Sequence, residues 1–249
     1  MNTSKEPLVS IIMPTYNSSK TVLESINSVL NQTYKNWELL ITDDCSSDNT
    51  IDLISSVKDE RVRYFKLSAN GGAGVARNNS IGQATGRYIA FLDSDDLWLP
   101  EKLSEQITFM ENNAYPFTYT YYQKLKDGQK GAIIKSPASA TYKKLLYSNY
   151  IGCLTVVYDQ SKLGKHFMPK IRKRQDMALW LTLLKLTSTA YCLPKCLALY
   201  RTDTGMTQNK LTTAKTQWEF YTKSLELPIY SALIKMTSYT ILGILKKLK

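Results

Sequence analysis

Short apolar runs alternate with segments of helical periodicity through the first hundred residues, and this alternation restricts the possible fold more than any other feature of the chain. The runs read as buried strands and occupy residues 7–17, 37–42, 62–67 and 88–92. Between them, residues 22–30 and 50–57 repeat apolar side chains at helical spacing. The order β-α-β-α-β predicts an α/β fold with a doubly wound, mainly parallel sheet and right-handed crossovers. A chain of 249 residues, with 43% hydrophobic and 21% charged residues, is long enough for one such domain with a sizeable core.

Carboxylates follow two of the predicted strands at their C-terminal ends. Asp43 and Asp44 follow the second strand, and Asp93, Asp95 and Asp96 follow the strand at residues 88–92. Because open α/β sheets bind ligands at the carboxyl ends of their strands, we expect these acids to converge on one site. Clustered carboxylates repel one another unless a cation joins them, and Mg²⁺ or Mn²⁺ suits oxygen ligands combined with substrate phosphates. The cluster predicts a metal-held diphosphate; the alternatives are a solvated acidic turn and an ordinary helix-entry turn.

A glycine-rich loop at residues 70–74 leads into a third predicted helix, which we expect to end at Gly86. Such a junction offers backbone N–H groups to an anion. Arg77 is predicted on the first turn of this helix, where a cation opposes the helix dipole unless it contacts a phosphate. The loop fits neither the dinucleotide-binding fingerprint, because it follows the third strand, nor the Walker loop, because no Gly-Lys-Ser/Thr follows. Together with the acidic strand ends, Arg77 outlines a nucleotide site.

These motifs, in this order, resemble the family 2 glycosyltransferases, which are inverting, metal-dependent enzymes of the GT-A fold that use nucleotide-diphosphate sugars. The resemblance covers about residues 7–205 and rests on residues 9–17, 43–50, 74–78 and 91–96. It implies that Asp44 contacts the base with support from Asp43, and that Asp93 lies near the ribose and the metal. The predicted donor-site residues are Pro14, Thr15, Tyr16, Asn17, Asp43, Asp44, Gly74, Arg77, Asp93, Ser94 and Arg201, and the predicted ligands of Mn²⁺ or Mg²⁺ are Asp95 and Asp93.

Asp176 is the candidate catalytic residue. It follows three cations, at residues 172–174, and begins an apolar helix in which Leu179, Leu181 and Leu184 would anchor it. The resembling family carries an acidic pair here, usually Glu-Asp, and uses the second acid as the base; this chain has Gln175-Asp176. Inverting sugar transfer needs a carboxylate that takes the proton of the acceptor hydroxyl. The alternative is an N-terminal acid that only favours the helix dipole.

The second half of the chain gives weaker signals. We predict strands at residues 116–122 and 154–158, a hairpin turn at Asp127-Gly128 and a helix over residues 142–147. The resemblance places this region on the acceptor side, where its tyrosines either stack on sugar rings or lie half-buried in the sheet. The segment at residues 200–206 resembles the family loop that folds over the pyrophosphate. It contains no histidine, so Arg201 is the candidate there and the third metal ligand is left open.

The C-terminal segment predicts an amphipathic helix. Residues 1–100 carry 9 Lys and Arg against 12 Asp and Glu, whereas the remaining residues carry 23 against 9. A basic amphipathic helix of this kind binds the interface of an anionic membrane; the alternatives are a helix packed on the domain and a partner-binding helix. Its apolar positions are Tyr230, Leu233, Ile234, Ile241, Ile244, Leu245 and Leu248, and its lysines are Lys235, Lys246, Lys247 and Lys249.

The resemblance therefore implies an inverting glycosyltransferase in bacterial surface polysaccharide synthesis, with a nucleotide-diphosphate sugar, UDP-linked, as donor and a lipid-linked glycan as acceptor. We expect a donor-binding half at residues 1–100, an acceptor-binding half at residues 101–207 and a membrane-associating extension at residues 208–249. Four cysteines and one histidine match no common zinc pattern, and we expect a cytoplasmic protein on the inner membrane face with no nucleic-acid partner. The alternatives are a basic binding module with an inactive pocket and a nucleotidyltransferase.

Overall fold

The computed structural model describes residues 6–203 and 210–248, with the backbone alone at residues 210–213 and 241–248. The described residues form ten strands and nine α-helices, together with a 3₁₀ turn at Cys153–Thr155 and a π-helical turn at Phe220–Ser224. The strands are β1 (Val9–Thr15), β2 (Trp37–Asp43), β3 (Val62–Lys66), β4 (Tyr88–Phe91), β5 (Leu97–Trp98), β6 (Phe117–Lys126), β7 (Gln129–Ile134), β8 (Ser139–Thr141), β9 (Val157–Asp159) and β10 (Thr189–Arg201). The helices are α1 (Val22–Leu30), α2 (Thr50–Ser55), α3 (Ala73–Gln83), α4 (Lys102–Asn113), α5 (Tyr142–Tyr147), α6 (Gln160–Leu163), α7 (Gln175–Thr187), α8 (Lys210–Glu219) and α9 (Ile229–Leu248).

One continuous sheet runs through both predicted halves. Its strand order is β3-β2-β1-β4-β9-β6-β10-β5, with β7 beside β6 and β8 beside β10. The pairs β3-β2, β2-β1 and β1-β4 are parallel, which confirms the predicted α/β fold. Antiparallel pairs of β9 with β4 and with β6 join this part to the second half, and the sequence did not predict them.

Helices cover both faces of the sheet, and alternate side chains of β1 therefore pack in two separate core layers. Ile12 packs in a cluster with Phe91 of β4 and Trp180 of α7, and Phe91 and Trp180 meet edge to face with centroids 5.2 Å apart. Ile11 and Met13 pack in the other cluster, with residues of α1 and α4. This explains why the first strand is apolar along its whole length rather than at every second position.

The structure confirms some local predictions and corrects others. The predicted hairpin turn at Asp127-Gly128 joins β6 to β7 and has positive φ at both residues, which is typical of a type I′ turn, and α5 covers the predicted residues. Gly86 does not end α3, which stops at Gln83; a Cβ at Gly86 would lie 2.6 Å from the carbonyl oxygen of Leu8, so glycine allows close approach to β1. The strand predicted at residues 154–158 begins as the 3₁₀ turn.

The C-terminal helix α9 has one packed side and one exposed side. Ala232 is fully buried in the core, whereas Ile229, Tyr230, Leu233 and Ile234 are exposed. The side chains predicted to continue the apolar face, at residues 241–248, and Lys249 lie outside the described residues. Within 6–203 and 210–248, none of the helices has the length and hydropathy that a bilayer span requires.

Candidate active site

The carboxyl ends of β1, β2 and β4 meet at one edge of the sheet, as predicted. Thr15 lies beside Asp43 in the sheet register. The loops beyond the strands are tied together, because the Asn17 backbone N–H donates to Ser46 Oγ over 2.8 Å and Ser94 Oγ lies 2.8 Å from Ser18 Oγ. Of the predicted pocket residues on this edge, Pro14 and Thr15 are buried and Tyr16 and Asn17 are exposed.

Asp43 and Asp44 hold the neighbouring loops. The Asp43 carboxylate accepts hydrogen bonds from the backbone N–H and the hydroxyl of Ser46. The two oxygens of Asp44 accept the backbone N–H groups of Gly71 and Gly72, both over 2.7 Å. The N–H groups of Gly71 and Gly72 in the glycine-rich loop are thus engaged by the chain's own carboxylate, and the predicted contact of this loop with a ligand anion stays a prediction. The contacts of Asp43 and Asp44 with a nucleotide base stay predictions.

Arg77 is oriented by Asp93. It is the fifth residue of α3 rather than part of its first turn, and its Nη2 lies 2.5 Å from Asp93 Oδ1. Burial would lower the pKa of Arg77, but the Asp93 carboxylate more than offsets it and holds that pKa above its usual value. The Nε of Arg77 is buried without a hydrogen-bond partner in the described part of the chain. The guanidinium is therefore fixed beside the acidic motif, and its predicted phosphate contact stays untested.

Arg201 closes over the same acidic motif. Its backbone N–H donates to Asp96 Oδ1 over 2.9 Å, its Nε donates to the Asp95 carbonyl over 2.8 Å, and its Nη2 pairs with Glu24 at 2.6 Å. Burial raises the pKa of Asp96 well above its usual range, and the charges of Asp93 and Asp95 raise it further. Neighbouring carboxylates raise the pKa of an acid in this way because like charges disfavour its ionised form. Residues 204–206 of the predicted pyrophosphate loop lie outside the described residues.

The carboxylates at this edge suit a divalent cation whose remaining ligands are phosphate oxygens of the substrate. No group of three or more His, Cys, Asp or Glu side chains in the described ranges is arranged to hold a metal ion. Mg²⁺ sites commonly use one or two carboxylates plus substrate phosphates and water, and Asp93 and Asp95 provide two carboxylates within three residues at this edge. The assignment of Asp93 and Asp95 as ligands of Mn²⁺ or Mg²⁺ stays a prediction.

A cavity of about 1150 Å³ joins this edge to Asp176. Arg77, Asp93 and Asp96 line it, and so does Asp176, in the first turn of α7. The N-termini of α3 and α7 meet here, because a Cβ placed on Gly74 would lie 3.3 Å from Cγ of Gln175. The three predicted anchors of α7 are buried, with at most 2% of their surface exposed; they are Leu179, Leu181 and Leu184. The structure therefore brings two of the predicted donor-site residues, Arg77 and Asp93, into one cavity with the predicted base, whereas Asp43, Asp44 and Asp95 do not line that cavity.

Sequence reasoning missed two cavity residues, Cys153 and Tyr200. Burial raises the pKa of the Cys153 thiol, with Arg77 opposing the shift. Burial and the nearby charge of Asp96 raise the pKa of Tyr200 to about 12. Cys153 lies in the 3₁₀ turn, where no motif or spacing points to function, and Tyr200 lies in β10, at the start of the segment that resembles the family loop over the pyrophosphate. The position of Tyr200 beside Arg201 was the one available signal.

Comparison with known proteins gives a consistent result. The sequence model of "Glycosyl transferase family 2" matches residues 10–160. The chain is 43% identical over 224 residues to TuaG of Bacillus subtilis, a glycosyltransferase named for teichuronic acid biosynthesis, covering 88% of this chain and 89% of that protein. It is 39% identical over 241 residues to the UDP-Glc:alpha-D-GlcNAc-diphosphoundecaprenol beta-1,3-glucosyltransferase WfgD of Escherichia coli, covering 96% and 94% of the two chains.

Solved structures show the same fold at lower sequence identity. Residues 1–349 of Staphylococcus aureus TarS in complex with UDP-GlcNAc match with a TM-score of 0.72 and 20% identity, covering 93% of this chain and 71% of TarS. The mannosyltransferase PcManGT of Pyrobaculum calidifontis, in complex with GDP-Man and Mn²⁺, matches with a TM-score of 0.65 and 15% identity, covering 90% and 66%. The predicted GT-A fold is confirmed.

Proposed function

Because the chain belongs to glycosyl transferase family 2, we propose that it moves a sugar from a UDP-linked donor to a glycan carried on a lipid diphosphate, with inversion at the anomeric carbon. The observation that supports this most is the shared cavity, which Asp93 and Asp176 both line. A carboxylate cluster for the donor and a separate carboxylate for the acceptor are the two parts that such a transfer needs. The names of TuaG and WfgD, and the UDP-GlcNAc bound to TarS, agree with the substrate classes.

The donor end of the cavity is built to hold a nucleotide diphosphate. Asp93 and Asp95 would hold Mn²⁺ or Mg²⁺, which when bound neutralises the charge that develops on the leaving diphosphate. Arg201 fixes the backbone of this motif by its bonds to Asp95 and Asp96, and Arg77 fixes the Asp93 carboxylate. The motif is thus preorganised before the donor binds, which lowers the reorganisation needed in the transition state.

Asp176 acts at the acceptor end. Its carboxylate takes the proton of the acceptor hydroxyl while the hydroxyl oxygen forms a bond to the anomeric carbon of the donor sugar. The bond from that carbon to the diphosphate oxygen breaks at the same time, and UDP leaves with the electron pair. The buried leucines of α7 hold the carboxylate in place. Attack from the face opposite the leaving group produces inversion.

The proposal is tested by product analysis with Asp176→Asn. The wild-type chain, given Mn²⁺, UDP-sugars and lipid-diphosphate glycan acceptors, should release UDP, whereas a nucleotidyltransferase would release pyrophosphate. Asp176→Asn keeps the shape but removes the base, so turnover should fall by roughly 10²–10⁴-fold while donor affinity by calorimetry changes little. Asp52→Asn, an exposed acid in the first turn of α2, is the matched control. Turnover of Asp176→Asn within about threefold of wild type would exclude Asp176 as the base.

The exposed side of α9 supports a peripheral site of action. Its four exposed large apolar residues, Ile229, Tyr230, Leu233 and Ile234, form a surface that we call the α9 patch. An apolar patch on a helix in a basic chain favours the interface of an anionic membrane, where lipid-linked acceptors reside. We include in the proposal that the chain works on the inner face of the cell membrane.

A further inference from the structure

The cavity carries more positive charge than the donor end uses. Six cations and three carboxylates line it. Arg77 is already paired with Asp93, and Asp96 is bonded to the backbone of Arg201. The five remaining cations, which we call the basic cluster, are Lys124, Lys135, Arg172, Lys173 and Arg174.

The basic cluster comes from two separate parts of the chain. Lys124 lies on β6 and Lys135 directly after β7, while the other three precede α7. Lys124, Lys135, Arg172 and Lys173 are exposed. Across the described ranges, no member of the cluster forms an ion pair with a carboxylate. The five cations outnumber Asp176, the third carboxylate that lines the cavity, so their mutual repulsion exceeds the attraction to it, and a bound polyanion would offset that repulsion.

We propose that the basic cluster binds the diphosphate of the lipid-linked acceptor, an assignment that rests on the function proposed above. Arg172, Lys173 and Arg174 directly precede the Gln175-Asp176 pair. A diphosphate held by these cations would therefore place the sugar attached to it near the Asp176 carboxylate. The donor diphosphate has its own place beside Asp93 and Asp95, so the second group of cations needs a second anion.

Arg174 connects the basic cluster to the helix that carries the α9 patch. Its Nη2 donates to the Tyr239 hydroxyl over 2.6 Å, and its guanidinium carbon lies 5.4 Å from the centroid of that ring. Arg174 also has φ of 65°, in the left-handed region that residues other than glycine rarely adopt. The chain thus holds this cation between the cavity and α9. That position suits an anion joined to a lipid better than a soluble phosphate.

One polar group of the cavity wall also lacks a partner. Tyr150 lines the cavity, and its hydroxyl oxygen is buried without a hydrogen bond in the described part of the chain. Buried hydroxyls are normally hydrogen-bonded. A ligand in this part of the cavity would supply the missing partner.

The test measures binding of farnesyl diphosphate to the full chain by calorimetry, with UDP and Mn²⁺ present to fill the donor end. The wild-type chain should bind farnesyl diphosphate more tightly than farnesol, which has the same hydrocarbon and no charge. Arg172→Ala/Lys173→Ala should weaken binding about tenfold or more, because hydrogen bonds to charged groups are the strong ones. Lys124→Ala/Lys135→Ala should weaken it in the same direction.

The controls remove the same charge elsewhere. Lys126→Ala/Lys130→Ala takes two exposed lysines from the same hairpin, and Lys170→Ala takes one exposed lysine from just before the cluster; none of the three residues lines the cavity. If the control variants weaken farnesyl diphosphate binding as much as the cluster variants do, the loss comes from the lower net charge of the protein, and the proposal is overturned. Failure of the wild-type chain to bind farnesyl diphosphate would overturn it as well.

Two further measurements distinguish failure of this proposal from failure of the proposed glycosyltransferase function, and binding of the acceptor from binding of the donor. UDP affinity should stay unchanged in Arg172→Ala/Lys173→Ala; an equal loss for UDP would assign the cluster to the donor and overturn the proposal. Release of UDP from a UDP-sugar tests the glycosyltransferase function separately. Suppose that the wild-type chain releases UDP and that the cluster variants bind farnesyl diphosphate as tightly as the wild type. The proposed role of the basic cluster would then be refuted, and the proposed glycosyltransferase function would be retained.

Discussion

Lys102 is a fully buried lysine that contacts the 3₁₀ turn Cys153–Thr155, two residues of which line the cavity. Its Nζ donates to Gln106 Oε1 and lies 3.5 Å from the Thr155 carbonyl, in the same 3₁₀ turn as the cavity residue Cys153. The ring centroid of Trp98 is 4.9 Å from it. Burial lowers the pKa of Lys102 to about 7, since the site offers a hydrogen bond but solvates the charge poorly.

At the residue scale, Lys102 should make stability depend on pH. Between pH 7 and about 10 the folded chain holds Lys102 neutral while the unfolded chain keeps the proton, so the free energy of unfolding rises with pH. The slope from this residue is at most about 1.4 kcal/mol per pH unit. Lys102→Met keeps the chain length but cannot titrate. We expect urea unfolding at pH 7, 8 and 9 to show that the free energy of unfolding of the wild type rises with pH relative to that of Lys102→Met.

The control for this prediction is Lys58→Met, on an exposed lysine. Its stability should run parallel to that of the wild type at all three pH values. A constant gap between wild type and Lys102→Met would contradict the prediction, because it would show that Lys102 keeps an ordinary pKa in the folded chain.

Single side chains also show how far the sequence could predict the site. The positions of Asp44, Asp93 and Asp176 were predictable, because strand ends and helix starts determine them. Their partners were not. The bonds from Asp44 to Gly71 and Gly72, and from Arg77 to Asp93, depend on how loops distant in sequence meet. A motif therefore identified which residues form the site, and the structure was needed to show which atoms are already engaged.

At the element scale, the start of α7 is joined to α9. Arg174 is the N-cap of α7 in a left-handed conformation, and the Tyr239 hydroxyl of α9 accepts a hydrogen bond from it. A non-glycine residue in this conformation is held there by its surroundings. Asp176 lies two residues further on. Contact with α9 should therefore help to position the proposed base, so Tyr239 is a candidate positioning residue.

Tyr239→Phe should test this coupling, because it removes the hydroxyl and keeps the ring beside the Arg174 guanidinium. A hydrogen bond to a charged group contributes about 1.5–3 kcal/mol, so we expect turnover to fall by about tenfold while the donor KM stays unchanged. The change should appear in kcat for the acceptor reaction. Tyr64→Phe, on a tyrosine of β3 that is 47% exposed, is the control. Wild-type kcat together with a lowered melting temperature would show that Tyr239 has a structural role only.

Prediction of whole elements succeeded where local rules decide the outcome. The Asp127-Gly128 turn and α5 follow from turn chemistry and short-range pattern, and both were located correctly. Gly86 was placed wrongly, because a glycine required by a neighbouring strand looks the same in sequence as one that ends a helix. The antiparallel pairing of β9 with β4 and β6 joins residues far apart in the chain, and single-sequence patterns carry no signal for it.

At the scale of the whole molecule, the basic cluster links the cavity to α9, the helix that carries the α9 patch. Arg174 belongs to the cluster and contacts α9, and the cluster shares its cavity with the donor-site acids. The uneven charge of the sequence has a structural meaning in this arrangement. Acids concentrate at the strand ends of the first half, and cations from the second half line the cavity on the side that we propose for the acceptor. We expect a lipid-linked acceptor to reach Asp176 from the side of α9.

The position of α9 determines how the proposed membrane contact of this helix should be tested. Because Ala232 is buried in the core and Tyr239 contacts Arg174, a chain ending at Leu227 would lose folding contacts along with the α9 patch. Substitutions on the exposed side avoid this problem. Leu233 and Ile234 are 53% and 47% exposed, so polar replacements there should change the stability of the fold little.

Leu233→Ser/Ile234→Ser should weaken binding to vesicles that contain anionic lipid. Inserting a half-exposed aliphatic side chain into the interface contributes about 1 kcal/mol, so removing two should weaken binding roughly 10- to 30-fold. The matched control is Phe167→Ser/Leu186→Ser, since both residues are 54% exposed and lie outside α9. The measurement is co-sedimentation with vesicles at constant ionic strength, alongside the melting temperature of each variant. If the α9 variant and the control bind vesicles as the wild type does, α9 does not serve as the membrane contact, and the acceptor must reach Asp176 by another side of the cavity.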